Sequence, residues 1–320
     1  MIQNGFLVFV ILTFLFSGCQ KNLTEYSDIR IFMGTTVIIK VYSKDNNTAG
    51  KSVASAFDEI KRIEDIFSIY RNNSEISILN KKGSAEVSDE VRELIGRSKY
   101  FSEISEGAFD ITVLPVIELW RNAKKKEKMP TQAEIENANK FTDYRNIIIN
   151  EGKVSFLKKG MKADFGGIAK GYAVDRAVNI LKKSGIKIGM VNAGGNIRCF
   201  GGKIWFIALQ NPREKKDFVT ILKLKNKSVA TSGDYERFFS LDKKKISHII
   251  NPITGFSAED SISSTIVTDT ATDADALSTA TFVLGAEKGI KLIEKYKNAE
   301  CLIIDKERKI YKSPRFSEYE

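Results

Sequence analysis

The feature that most constrains this chain is the order in which two apolar rhythms follow one another. Residues 34–43 carry TTVIIKVY, a β-branched run with the two-residue alternation of a strand. Residues 51–67 then place Val53, Phe57, Ile60, Ile63 and Phe67 three and four apart, the stripe of an amphipathic helix facing a core. Further strand patterns cover 188–192, 204–210, 219–225 and 263–268, and hairpin patterns cover 147–156, around Asn150-Glu151-Gly152, and 302–312. Helices are predicted from a Ser88 cap to about Ser105 with Gly107 beyond it, over 168–184 ending at Gly185, and over 272–284. Thr131 and Glu134 form a capping-box pair opening a short helix, and 122–130 reads as a charged surface loop. Strands and helices alternate without the regular spacing of βαβ units, and no internal repeat intervenes. The pattern therefore predicts an α+β fold in one compact unit.

Composition narrows the partners. With 42% hydrophobic and 28% charged residues, the 320-residue chain is neither fibrous, disordered nor a polytopic membrane protein. Lys and Arg number 50 against 40 Asp and Glu, so the surface favours anions. The lysines are scattered in short clusters without an aromatic-interleaved stripe, which argues against nucleic acid. Three cysteines, Cys19, Cys199 and Cys301, are too few for a disulfide framework. His248 is the sole histidine, so a multi-His transition-metal site within the chain is excluded and oxygen ligands, as Mg²⁺ or Ca²⁺ prefers, are the expectation.

At the amino terminus, FLVFVILTFLF over 6–16 is too short for a comfortable span and fits the apolar part of a signal peptide. Ser17-Gly18-Cys19 follows at once and resembles the lipobox of bacterial lipoproteins. A plain signal peptide or an uncleaved anchor is the alternative. Either way the functional unit is expected outside the cytoplasm. We expect a signal peptide at 1–18, lipidation of Cys19, a tether at 19–30 and a catalytic domain at 31–320.

Five short segments carry chemistry. In Ala163-Asp164-Phe165-Gly166-Gly167-Ile168-Ala169-Lys170-Gly171, an acidic residue and a glycine pair lead into a helix whose first N–H groups can receive an anion, with Lys170 one turn inside. Asn192-Ala193-Gly194-Gly195-Asn196 is a second glycine turn after a strand. Both also read as plain tight turns. In Thr272-Asp273-Ala274-Asp275-Ala276-Leu277-Ser278-Thr279, Asp275 and Thr279 share a helix face and suit a hard cation; the alternative is that Asp273 and Asp275 only complement the helix dipole. Ser247 to Gly255 holds His248, the one side chain whose ordinary pKa suits proton transfer near neutrality, beside a Pro-Gly turn. Ala230-Thr231-Ser232-Gly233-Asp234-Tyr235 reads as a hydroxyl-bearing turn.

In order, MGT, SxYRxxSEISxLN, GAFDITV, ADFGGIAKGYAVD, VNAGGNI, ATSGDY, SHIINPxTG and TDADALSTA resemble the ApbE-type FAD:protein FMN transferases, from Met33 to about Leu284. The resemblance implies a T-fold-like domain. It also implies a Mg²⁺-dependent reaction in which FAD is split, FMN is esterified to a Thr or Ser of a target flavoprotein, and AMP leaves. The targets implied carry a Ser/Thr-Gly-Ala-Ser/Thr type motif and belong to membrane electron-transfer complexes. Residue by residue, Asp275, Thr279 and the Gly167 carbonyl match the metal ligands. Met33, Tyr70, Ala108, Phe109, Asp110, Asp164, Lys170 and His248 match FAD contacts, and His248 is the candidate proton acceptor, with Asp234 or another carboxylate as the alternative. Two rivals use the same site: a pyrophosphatase releasing FMN and AMP, and a non-catalytic FAD-binding lipoprotein.

Overall fold

A computed structural model describes residues 23–214, 216–236, 238–242 and 244–320. The expected signal peptide and Cys19 lie outside the described residues.

The chain opens with a hairpin of β1 (Thr24–Phe32) and β2 (Thr35–Ser43). Its two-residue turn, Met33-Gly34, has both residues in the left-handed region, as hairpin twist requires. Thus the tether expected over 19–30 ends earlier: from Thr24 the backbone pairs with β2 along its whole length. Helix α1 (Asn46–Phe67) follows, starting five residues before the predicted 51 because Asp45 caps it through the N–H groups of Asn47 and Thr48. Next come α2 (Glu75–Lys82), β3 (Ser84–Glu86) and α3 (Asp89–Ile104), the last capped by Ser88 as predicted.

Helix α4 (Leu114–Lys126) replaces the first half of the loop expected over 122–130. Ala123 is buried, and three lysines in the last turn complement the carbonyl end of the helix, so a charged run continues it. Helix α5 (Gln132–Asn139) carries the complete capping box, and β4 (Ile147–Asn150) and β5 (Lys153–Phe156) form the predicted hairpin. Helix α6 (Ala169–Lys183) leads to β6 (Ile188–Ala193), β7 (Asn196–Phe200), β8 (Trp205–Gln210) and β9 (Phe218–Leu224).

Strand β10 (Ser228–Gly233) corrects another expectation: Ala230 to Gly233 are extended and pair with a later strand, and the turn begins only at Asp234. After β11 (Phe238–Leu241), β12 (Lys244–Ser247) and β13 (Ser261–Thr268), helix α7 (Ala271–Lys295) runs eleven residues past the predicted end, through a non-helical break at Gly285. The chain closes with β14 (Glu300–Asp305) and β15 (Ile310–Lys312).

Eight strands form one antiparallel sheet in the order β1-β2-β6-β7-β10-β13-β14-β15. One face packs Val37, Ile39, Val191, Ile266 and Ile303 against α1, α6 and α7. The other packs Met190, Val229, Val267 and Leu302 against the β8–β9 ribbon and Phe316. A sheet covered on both faces explains why every residue of β13 is buried. A smaller lobe gathers α4, α5, β11 and β12 around Trp120. Among the described residues, no helix is long and apolar enough to cross a membrane.

Candidate active site

The site is built where the start of α6 meets the start of α7. Gly171 is what lets them meet, since a Cβ there would lie 2.1 Å from the Ala271 carbonyl oxygen. In the gap so closed, the Gly171 N–H donates to Asp275 Oδ2 at 2.9 Å. The first turn of α6 has no side-chain cap of its own, and a carboxylate from α7 receives one of its N–H groups instead. The two acidic residues of α7 thereby divide their work. Asp273 pairs with Arg97 and Tyr296, holding α3 to α7, while Asp275, only 3% exposed, complements the dipole of α6 rather than of its own helix.

Lys170 Nζ sits 3.2 Å from Asp275 Oδ1 and 3.1 Å from the Gly166 carbonyl oxygen. An ammonium group is thus held by oxygen atoms from both segments. One turn along α7, Thr279 donates to the Asp275 carbonyl at 3.2 Å and lies 3.4 Å from Ser232 Oγ on β10. A side chain added to Gly167 would begin 3.2 Å from Thr279 Oγ1 and 3.1 Å from the Phe109 ring. Gly167, more than a hundred residues away in sequence, therefore adjoins Thr279 and the α7 face that also carries Asp275. Among the described residues no group of three or more His, Cys, Asp or Glu stands ready for a metal. What is present is a carboxylate, a hydroxyl and main-chain carbonyls, a donor set of oxygen alone, and it fits a hard cation such as Mg²⁺. A cation already held there by the protein itself, the Lys170 ammonium, shows the cradle to be electrostatically suited to positive charge.

The other predicted residues fall around this centre in different ways. The Asp164 carboxylate accepts from the Gly166 N–H at 2.8 Å and lies 3.8 Å from Arg121. Burial raises its pKa, against the lowering effect of Gly166, Arg121 and Lys170. Tyr70 is 76% exposed, with the Arg121 guanidinium 5.4 Å over its ring, so Tyr70, Arg121 and Asp164 form a chain leading to the α6 turn. Phe109 is buried against Gly167, and Ala108 packs with Ile249 and Phe282. Asp110 is engaged differently: Oδ1 accepts from the Thr112 N–H and hydroxyl, and Oδ2 from the Tyr144 N–H. Its carboxylate braces the chain that carries Phe109, and burial raises its pKa.

Met33 lies half-buried at the tip of the β1–β2 hairpin. The Gly194-Gly195 turn joins β6 to β7 beside it, with the Gly194 N–H donating to the Thr36 carbonyl. Both glycines have positive φ, and a Cβ at Gly194 would strike Thr35 at 2.4 Å, so this turn is closed to larger residues.

His248 is exposed between two fixed neighbours. Ser247 exchanges hydrogen bonds with Ser257, and Ile249 packs with Ala108 and with Phe282, one turn beyond Thr279. The histidine is therefore carried on the wall that also bears Ala108. Asp234, the alternative base, is bound by Arg213 at 2.7 Å and Lys245 at 3.1 Å. Burial alone would raise its pKa, but these cations hold it below the usual value, which makes it a poor proton acceptor near neutrality.

Sequence reasoning missed Arg121, and it singled out Ser232 only within a turn whose hydroxyls could cover a bound ligand. Arg121 sits on a helical turn read in part as loop. Ser232 lies instead on β10, within hydrogen-bond reach of Ser278 and Thr279 on α7.

The ApbE family model matches residues 33–303. This chain belongs to the ApbE family. It is 31% identical over 292 residues to a FAD:protein FMN transferase of Klebsiella pneumoniae, covering 89% of this chain and 90% of that one. It is 30% identical over 321 residues to one of Treponema pallidum, covering 92% and 88%. The crystal structure of the ApbE protein of Thermotoga maritima superposes with a TM-score of 0.87 at 36% identity, covering 93% of this chain and 99% of that one. The flavin transferase ApbE of Vibrio cholerae gives 0.80 at 27%, covering 93% and 100%. The α+β arrangement read from the sequence is thus the ApbE fold. The matched span includes Met33, the α6 turn, His248 and the Asp275–Thr279 face.

Proposed function

We propose that this ApbE-family chain is a flavin transferase that takes FMN from FAD and esterifies it to a hydroxyl of a target flavoprotein. The observation that carries this reading is the convergence of Gly167, Asp275 and Thr279 with Lys170 at the start of α6. A diphosphate placed there meets the Lys170 ammonium, which offsets part of its charge.

In the reaction proposed, a Thr or Ser hydroxyl oxygen attacks the phosphorus of the FMN half. A new P–O bond forms, the bridging P–O bond breaks, and AMP departs with the bridging oxygen. The hydroxyl proton passes to the imidazole of His248. Such transfer depends chiefly on positioning and on charge stabilisation, and a correctly placed base adds about 10²–10⁴-fold. Asp275, Thr279 and the Gly167 carbonyl are the residues that would hold Mg²⁺, which when bound supplies charge neutralisation at the phosphates. Lys170, released from Asp275, is within one side chain's swing of the same phosphates. Tyr70 offers an exposed aromatic face for a ring of the dinucleotide, steadied by Arg121.

The signal-like run over 6–16 and the lipobox-like Ser17-Gly18-Cys19 support the further proposal that the activity lies outside the cytoplasm, on a lipid anchor at Cys19 in a bacterial membrane. Targets would be flavoproteins of membrane electron-transfer complexes bearing a Ser/Thr-Gly-Ala-Ser/Thr type motif. The test is to incubate the protein with FAD, Mg²⁺ and such a target, then follow flavin fluorescence through a denaturing gel and AMP by chromatography. Target fluorescence matched by AMP supports transfer. AMP and free FMN with an unlabelled target mean hydrolysis, and neither product means a binding protein only.

A further inference from the structure

The β8–β9 ribbon covers one face of the main sheet and presents its own outer face to solvent. Trp205, Leu209, Leu222 and Leu224 point into the core beneath, so strand alternation turns Phe206 and Ile221 outward. Phe206 is 68% exposed and Phe218 is 52% exposed, with Ile204 and Ile221 beside them. Four large apolar side chains on one two-stranded ribbon form the kind of patch that marks an interaction surface. Lys203, Lys223 and Lys225 are exposed on the same two strands and their approaches, so the surroundings are cationic. Glu214 and Asp217 in the loop joining the two strands, Glu25 beside Tyr42 and Lys203, and Glu320, through its main-chain oxygen to Lys223, are acidic groups nearby.

The place of Cys19 in the sequence, just before β1, points to the occupant. Tyr42 stacks edge-on to Trp205 at 6.0 Å, and Lys203 Nζ lies 4.8 Å over the Tyr42 ring. The Tyr42 hydroxyl in turn donates to Glu25 at 2.6 Å, near the first residue of β1. The root of the ribbon and the start of the fold are therefore neighbours. Cys19 stands four residues before Leu23, a reach of at most about 14 Å when fully extended. An anchor at Cys19 would hold this corner of the domain against the lipid.

We propose that the outer face of the β8–β9 ribbon lies in the headgroup region of an anionic bilayer, with its apolar side chains inserted and its lysines on the phosphates. The proposal rests on the lipid-anchor reading given above. It makes the ribbon a second, reversible contact that fixes the orientation of the enzyme on the membrane.

The test uses site-specific labelling of the lipidated, full-length protein. Cys199 and Cys301 are buried, and burial pushes both thiols up to about 12; with the Cys19 thiol blocked by its lipid, a maleimide dye reports only an introduced cysteine. A polarity-sensitive dye is placed through Phe206→Cys, Ile221→Cys or, as a control in the lobe around Trp120, Ile253→Cys. The protein is reconstituted in phosphatidylethanolamine vesicles containing phosphatidylglycerol, with and without spin-labelled lipid. The expected result is blue-shifted emission, quenched by the spin label, at positions 206 and 221 only. Emission at 206 as aqueous as at 253, on vesicle-bound protein, overturns the proposal and leaves the anchor standing. Wild-type protein that does not sediment with vesicles removes the anchor and the proposal together. A blue shift at 206 before vesicles are added overturns it in favour of self-association.

Discussion

Gly171→Ala is the substitution that most sharply tests how the two halves of the site are held. The new Cβ would stand 2.1 Å from the Ala271 carbonyl oxygen and 2.9 Å from Asp275 Cβ. Ordinary contact begins near 3.4 Å, so the start of α6 must withdraw from α7 by about 1.3 Å. That movement stretches the 2.9 Å bond from the Gly171 N–H to Asp275 beyond useful length. Losing a hydrogen bond to a charged group costs about 1.5–3 kcal/mol. Overpacking a close contact costs about 1–3 kcal/mol more. The gain in helix propensity from Gly to Ala returns only about 0.5–1 kcal/mol. We expect a net loss of about 2–5 kcal/mol in chemical unfolding. Because Gly167 and Lys170 ride on the displaced turn, AMP release should also fall by about 10²-fold, the penalty typical of a 1 Å misplacement. Gly96→Ala in α3 is the control: nothing lies within 4 Å of its Cβ, so it should stabilise the protein by about 0.5–1 kcal/mol and leave turnover unchanged. If Gly171→Ala unfolded within about 0.5 kcal/mol of wild type and turned over at the full rate, the close approach described here would be wrong.

Three further outcomes are expected. Asp275→Asn should abolish metal-dependent AMP release by removing the only carboxylate of the cradle; full activity at limiting Mg²⁺ would refute its role. His248→Ala should lower transfer by about 10²–10⁴-fold while FAD binding, measured by flavin fluorescence, changes little; equal loss of both would make His248 a binding residue. The third concerns acid. Arg62 bonds Glu59 and Glu90 at 2.7 Å each, tying α1 to α3, and Tyr172 and Arg176 join α6 to them. Arg62 lowers the pKa of Glu59, and for Glu90 the bonds from Arg62 and Tyr172 outweigh burial, so both lie below the ordinary 4.5. A depressed carboxylate contributes stability above its unfolded pKa and loses it as pH falls through the folded value. Stability should therefore decline below about pH 4.5, and a Glu59→Gln, Glu90→Gln double variant should flatten that decline in pH-dependent melting.

The helices and the central strands were legible because burial imposes periodicity. The Val53–Phe67 stripe and the Ser88 and Thr131 caps needed no tertiary information. Edges and termini were not legible for the opposite reason. TEYSDIRIF in β1 alternates charge with apolar residues on a sheet edge, where one face is solvent, so it reads as linker. The end of α4 is lysine-rich because helix carbonyls tolerate it there, and composition alone mistakes that for loop. Within the site, the spacing of Asp275 and Thr279 already put them on one helix face. Nothing in periodicity brings Lys170 and Gly167 to that face across more than a hundred residues; the ordered motifs of the family did so. Asp110 shows the limit of such transfer, since a motif locates a residue without saying which of its atoms bond within the protein.

We propose that oxygen atoms from the α6 turn and the α7 face share one divalent cation beside the diphosphate of FAD. Anomalous diffraction from crystals soaked with FAD and Mn²⁺ measures this directly. The expected map holds a single strong peak bounded by the Gly167 carbonyl, Asp275 and Thr279, against the diphosphate, with Lys170 moved off Asp275. A peak elsewhere, or a diphosphate bound away from both segments, would contradict it.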